Sequence, residues 1–373
     1  MSETKNILVT GSAGFIGKNL VTELKRLGEY QVFEYDIHST QSELDNYLKE
    51  ANIIFHLAGI NRPKNEDEFK SGNADFTSSV CDKLISFNKQ TKIVMSSSIQ
   101  AELDNPYGLS KKLAEHALRN YSEKNCADAV VYRLANVFGK WCKPNYNSAV
   151  ATFCYSISHN QPITISDPAN IVKLVYIDDV VDAFISELDC SNNQIFRYSE
   201  VKETYKKTLG EIVELLNSFK SLRTDLLLPN FDDAFVGKLY ATYLSYLDKD
   251  DFAYNLKINS DNRGSLAEFI KSSSVGQIFV SRTHPGITRG NHWHHTKVEK
   301  FLVIEGQGII RFRHILNNDI IEYKVDGEEY KVVDIPPGYT HSIENIGDGI
   351  MVTLFWASEI FNSEKPDTFF ENV

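Results

Sequence analysis

A chain of 373 residues is longer than one hydrophobic core usually serves, so two domains are expected. It is 42% hydrophobic and 24% charged, as a soluble globular protein is, and its formal net charge of −11 argues against nucleic-acid and anionic-membrane partners while allowing an anionic small ligand at a locally basic site. No basic-then-apolar leader opens the chain, no apolar run approaches the roughly 18 residues of a membrane helix, and the five cysteines never fall in a C-x-x-C spacing, so a cytoplasmic protein with reduced thiols is predicted.

In chain order, NILVT (residues 6–10) reads as a buried parallel strand that stops at Gly11. GFIGKNLVTELKRLG has helical spacing and ends at Gly28. YQVFEYD, ANIIFHLAG and TKIVMSSS follow as strands with helical segments between them, which predicts an α/β Rossmann-like, doubly wound parallel sheet. The pattern continues through DAVVYRLANVFG and fades after TLGEIVELLNSFK. From about residue 253 the runs are short and rich in turn residues (QIFVSR, KFLVIEGQGIIRFRH, GIMVTLFW), which is all-β patterning. The expected domains are residues 1–247 and 248–373.

Gly11, Gly14 and Gly17 form G-x-x-G-x-x-G between the first strand and the first helix. Glycines there permit a tight turn, close approach of backbone N–H groups to a pyrophosphate, and close packing of helix on sheet. Asp36 closes the second strand, where an acid meets the adenosine ribose and favours NAD over NADP. His38, with Ser39 and Lys49, offers polar or basic groups that would offset this preference, so these residues leave the nicotinamide open.

Tyr107 and Lys111 make Y-x-x-x-K, one face of a helix. An ammonium beside the phenol is expected to lower its pKa, and the phenol would give a proton to a carbonyl oxygen as hydride arrives at the carbon. Ser98 ends the strand TKIVMSSS and would hydrogen-bond the same oxygen, with Ser97 as the alternative.

GSAGFIG, HLAG (56–59), SSS, YGLSK, RLANVFG (133–139) and YIDDVVDAF (176–184) together resemble the extended short-chain dehydrogenase/reductase family over roughly residues 5 to 245. The resemblance implies cofactor contacts from Gly11, Gly14, Phe15, Ile16, Gly17, Asp36, Leu57, Ala58 and Asn136, with Val137 near cofactor and substrate. It implies Ser98, Tyr107 and Lys111 as the catalytic set, the last two also touching the cofactor, and a nucleotide-sugar substrate. Only nine positions separate Ser98 from Tyr107, fewer than is usual in the family. Ile99 and Gln100 stand where dehydrating members carry acids, which argues against a 4,6-dehydratase and for simple ketone reduction.

In the β-rich part, Gly286, His292, His294, Glu299 and Gly306 fit G-x5-H-x-H-x4-E-x6-G, and Pro336, Gly338, His341 and Asn345 fit P-x-G-x2-H-x3-N. These resemble the two motifs of cupins, which are jelly-roll barrels; Tyr330 replaces the first glycine of the second motif, a turn position. Two histidines two apart on a strand share a face, and with Glu299 and His341 they offer three imidazoles and a carboxylate. That set suits Zn2+, Fe, Mn or Ni, with zinc first because no redox step is needed. DNRGSLAEF (261–269) resembles the entry of cupins that epimerise 4-keto nucleotide sugars.

Such a reductase joined to such a cupin resembles the bifunctional enzymes of bacterial capsular polysaccharide synthesis. The resemblance implies NADPH as reductant, a UDP-linked 4-keto-6-deoxy amino sugar as substrate, C3 epimerisation in the cupin before C4 reduction, and a homo-oligomer such as a dimer. Lys297, Lys300, His295, His314 and Tyr339 are candidate proton carriers by type, His295 the weakest because strand alternation turns it away from His294. Arg289, Arg311 and Arg313 are candidate diphosphate ligands.

Overall fold

The computed structural model describes residues 5–190, 195–316 and 318–373. They separate into two compact units, one built from the chain up to Leu216 with Lys238–Leu247, the other from Asn217–Gly237 with Asp248–Val373. The single crossing expected at 247/248 is thus one of three. Residues 226–228 go with the second unit because Leu228 N–H bonds Lys271 O at 2.7 Å and Lys271 N–H bonds Leu226 O at 2.8 Å.

The first unit contains strands β1 (Lys5–Thr10), β2 (Tyr30–Tyr35), β3 (Ile53–His56), β4 (Lys92–Ser98), β5 (Ala129–Leu134), β6 (Asn136–Phe138), β7 (Ile171–Tyr176), β8 (Phe196–Ser199) and β9 (Tyr205–Thr208). The main sheet runs β2-β1-β3-β4-β5-β8 with every pair parallel, and β6-β7-β9 form a small second sheet. Alternation along β1 puts Ile7 and Val9 in one core with Leu20, Leu24 and Phe184, and Leu8 in the other with Leu44, Leu84 and Leu118. Burial on both faces is why these strands read as unbroken apolar runs. The chain leaves β1 for β2 on one side and returns to β3 on the other. The carboxyl ends of β1 and β3 therefore flank a switch point, where open α/β sheets bind ligands.

The second unit contains β10 (Ile258–Asp261), β11 (Gly264–Ser272), β12 (Gly276–Thr283), β13 (Thr288–Trp293), β14 (Glu299–Glu305), β15 (Gln307–His314), β16 (Ile320–Asp326), β17 (Val332–Ile335), β18 (Tyr339–Asn345), β19 (Met351–Ala357) and β20 (Phe369–Phe370). They make two antiparallel sheets, β10-β11-β12-β19-β14-β17 and β16-β15-β18-β13-β20. Phe301, Val303, Val333 and Phe355 of one sheet and Ile310, Phe312 and Ile343 of the other share a core. This is the expected all-β double sheet. Tyr330 takes a left-handed φ of 48° in the exposed turn before β17, the conformation a glycine would supply there.

One irregularity precedes the first histidine. Gly290 pairs with Ser342 and His292 with His341, so Asn291 (φ 59°) is an extra residue, a β-bulge. Gly290, at φ 94°, lies so close to β18 that a Cβ would sit 2.7 Å from His341 O. The bulge brings Arg289, opposite Ile343, and His292, opposite His341, onto one face although they are three apart.

Candidate functional site

In the first unit a cleft of about 480 Å³ is lined by the glycine turn, Leu57, Gly59, Ser98, Tyr107, Lys111, Asn136 and Val137. The turn is tight for a stated reason: a Cβ on Gly17 would fall 2.1 Å from Gly11 O. Gly14 is the N-cap of the helix Phe15–Leu27 and has no side-chain cap, so first-turn N–H groups are left for an anion. A dinucleotide pyrophosphate fits this cradle. Asp36, His38 and Ala58 are not among the residues lining the cleft. The Asp36 carboxylate accepts N–H groups of Ala13 and Ile37, each at 2.8 Å, and so fixes the glycine turn, while His38 is exposed. His56 is buried between the hydroxyls of Thr10 and Thr77, both at 2.9 Å, and burial first, then Lys111, holds it neutral at about 3.

The helix Pro106–Asn125 carries the candidate pair Tyr107 and Lys111. Asn105 caps it by accepting Gly108 N–H at 2.8 Å, and Pro106 occupies its first turn. The short link from Ser98 is a 3-10 turn, Ile99–Glu102, packed on that helix start; a Cβ on Gly108 would fall 2.1 Å from Gln100 O. Tyr107, Lys111 and Glu115 follow one another at i, i+4 and i+8 along one helix face. Lys111 Nζ lies 6.0 Å from the centre of the Tyr107 ring, and a Cβ on Gly59 would meet that Nζ at 2.8 Å.

The expected lowering of the phenol pKa is reversed. Burial pushes Tyr107 up, and a hydrogen bond with Ser98 opposes this only in part. Lys111 does not prevail because it is itself buried and drops to about 8, with Glu115 pulling it upward. Tyr107 is therefore held as a neutral phenol, a proton donor. The serines divide their work. Ser98 stands by the phenol and accepts Gln100 N–H at 3.2 Å, whereas Ser97 donates to Glu115 at 2.5 Å.

Glu115 was not singled out by motif. It is 1% exposed and accepts from Arg133 at 3.0 and 2.6 Å and from Tyr198 at 3.0 Å, so it fastens the reactive helix to β4, β5 and β8. Its position four residues beyond Lys111 was the available signal. Asn73 was also missed. Buried, it bonds both Ile60 backbone groups and the Ser110 hydroxyl, each at 2.9 Å, and so joins the loop after β3 to the same helix.

In the second unit His292, His294, Glu299 and His341 converge, one ligand atom from each lying within 4.8 Å of the others. Nε2 of His294 and of His341 stand 3.2 and 3.5 Å from Glu299 Oε2. Neither contact has hydrogen-bond alignment, so both buried nitrogens lack a partner. Orphaned imidazole nitrogens facing a carboxylate are what a metal ion would satisfy. His294 donates Nδ1–H to the Asp367 carbonyl at 2.5 Å, which leaves its Nε2 as the lone pair. Burial first, then His341 and His294, holds His292 neutral at about 4. The donor set fits a divalent metal such as Zn2+.

The candidates around this cluster separate. Lys297 is buried, 3.6 Å from Glu299 Oε1, whereas Lys300 pairs with Asp334 at the surface and His295 is exposed. The His314 and Tyr339 rings meet edge to face at 4.9 Å. Arg311 is engaged by Glu322 and Glu344, and Arg313 by Glu371. Arg289 bonds Thr283 at 3.0 Å and keeps a buried Nη2 without a partner.

Known proteins resemble both units. The NAD dependent epimerase/dehydratase family matches residues 7–195, and the polysaccharide biosynthesis C-terminal domain matches residues 259–369. A UDP-2-acetamido-2,6-beta-L-arabino-hexul-4-ose reductase of Pseudomonas aeruginosa is 41% identical over 97% of each chain. A dTDP-4-dehydro-6-deoxyglucose reductase of Escherichia coli is 28% identical over 57% of this chain and 83% of its own. The solved structure of the capsular polysaccharide assembling protein CapF from Staphylococcus aureus superposes with a TM-score of 0.92 at 48% identity, covering 99% of this chain and 100% of its own.

Proposed function

Because the chain belongs to the NAD dependent epimerase/dehydratase family, we propose that it is an NAD(P)-dependent UDP-sugar 4-keto reductase of capsular polysaccharide assembly. The observation that carries this reading is one cleft lined by the glycine cradle, Ser98, Tyr107 and Lys111. NADPH, when bound, supplies the hydride for C4 of the ketone. Tyr107, kept neutral by burial, gives its proton to the C4 oxygen, and Ser98 orients that oxygen. Lys111 sets the charge beside the phenol, and Glu115 with Arg133 holds the helix in place.

The finer reading adds a step in the second unit. The substrate is a UDP-2-acetamido-2,6-dideoxy-4-hexulose, whose C3 proton is acidic beside the C4 ketone. It is removed from one face and returned to the other, with no net change in atoms or electrons. Reduction then gives UDP-N-acetyl-6-deoxy-L-talosamine, towards UDP-N-acetyl-L-fucosamine. His292, His294, Glu299 and His341 would hold a divalent metal, zinc first, which supplies positive charge to a substrate oxygen. The protein works as a homodimer in the cytoplasm, and no helix among the described residues is long and apolar enough to cross a membrane.

The test is deuterium exchange at C3. The protein is incubated with the UDP-4-keto sugar in D2O without nicotinamide and C3 is followed by NMR. Exchange that survives Tyr107→Phe and disappears in His292→Ala supports the epimerase. Absence of exchange in the unaltered protein removes it and leaves a reductase with a non-catalytic cupin.

A further inference from the structure

The turn that carries His294 towards Glu299 is held by a distant piece of chain. One Asp367 carboxylate oxygen accepts His295 N–H at 2.9 Å. The other accepts the N–H groups of Thr296 and Lys297, both at 2.8 Å, and the Thr296 hydroxyl at 3.0 Å. The Asp367 carbonyl takes Nδ1–H of His294. Residues 294–298 belong to no strand, so without Asp367 three successive N–H groups of this turn would have no partner in the fold.

The chain beyond Asp367 runs back along the metal strand. Phe369 pairs with Trp293 and Phe370 with His292, and the Trp293 and Phe369 rings stack at 4.7 Å. Glu371 N–H bonds Asn291 O at 3.0 Å, and its carboxylate pairs with Arg313 at 2.6 Å.

We infer that Asp367 is the positioning residue of the metal centre: it clamps the 294–297 turn and fixes the tautomer in which His294 presents Nε2. The inference rests on reading the His–Glu cluster as a metal site. It concerns the chain's own hydrogen bonds, so part of it can be tested without metal. A carboxylate is required because an asparagine has one acceptor oxygen, and its amide N–H groups would face the turn's own donors.

The test uses full-length Asp367→Asn and Asp367→Ala. Three quantities are read: Zn2+ affinity by competition with a chelator, the visible spectrum of the Co2+-loaded protein, and hydrogen exchange of the 295–297 amides without metal. Zn2+ affinity is expected to fall in both variants by about 10-fold, the lower end of the effect of losing a metal ligand's outer partner, because the Asp367 carbonyl that takes His294 Nδ1–H remains and only its anchoring by the carboxylate is lost. The Co2+ bands should shift and the three amides lose protection, while the amides of β14 and β19 stay protected and show that the second unit has folded. Wild-type affinity, an unshifted spectrum and retained protection would overturn the assignment. So would a lower melting temperature with affinity and spectrum intact, which marks a merely structural role. If the unaltered protein binds no metal, the metal reading fails. The exchange data then decide on the clamp alone, supporting it if protection is lost in the variants and refuting it if it is kept.

Discussion

The two sites are built in opposite ways. In the first unit the reacting groups stand at strand ends and on one helix, and two short motifs, the glycine turn and Tyr107-x-x-x-Lys111, supply most of the cleft. In the second unit the clustered residues come from three strands and a turn, and His292 meets His341 only because β13 pairs with β18. A site on one helix is ordered by that helix's own hydrogen bonds. A site inside a barrel is ordered only once distant strands pair, so its supports are spread along the sequence. Loss of either site is therefore expected to leave the other intact.

The sharpest way to break that comparison is to remove one chemistry and read the other. Tyr107→Phe is expected to lower ketone reduction by about 10²–10⁴-fold, because the proton donor is gone, with metal content and C3 exchange unchanged. Steady-state kinetics with NADPH beside NMR exchange measures both. The next effect is on the other side. His292→Ala removes one of four ligands, so metal content should fall to background and C3 exchange with it, while a C3-inverted ketone is still reduced. Equal loss of both activities would show the two sites to be one system.

The smallest effect is a stability difference confined to the first unit. Lys111 is lowered to about 8, by burial first and against the pull of Glu115, compared with 10.5 in the unfolded chain. Between those values the unfolded chain binds the extra proton, so stability rises with pH across that window and the burial cost is felt in full below about pH 8. Lys111→Met should therefore stabilise the first unit by up to about 3 kcal/mol at pH 7, and the gap should close towards pH 10.5. Chemical denaturation of both proteins at pH 7 and 10 checks the sign. A variant less stable than the unaltered protein at pH 7, with the difference shrinking as pH rises, would mean that Lys111 is stabilised by a partner, not penalised by burial.

These results also show what a sequence can carry. The glycine cradle, the serine run and the helical pair were legible because each lies within a few residues of chain, where period and spacing fix geometry. Three of the four residues of the His–Glu cluster were legible for the same reason, and His341 through its own short motif. Glu115 was not, since its meaning depends on Arg133 and Tyr198, which only the sheet brings to it. Asp367 was not, with its partners some seventy residues earlier. The direction of the Tyr107 shift was misread because neighbouring charge is visible in sequence and burial is not. Plain alternation would misplace Arg289: counted along the strand it opposes His292, and the bulge returns it to the same face.

That bulge has a consequence for how such chains are compared across descent. Without Asn291, Gly290 would still lie opposite Ser342 and His292 opposite His341, so the ligand face does not depend on the extra residue. What Asn291 contributes is a carbonyl for Glu371 N–H, one rung of the ladder that binds the tail. A lineage that dropped this residue would shorten the gap before its first histidine and weaken its tail, yet keep the same four ligands pointing inward. By this register a one-residue change in the gap leaves the ligand face intact, and a search pattern with a fixed gap would discard a site that is physically the same.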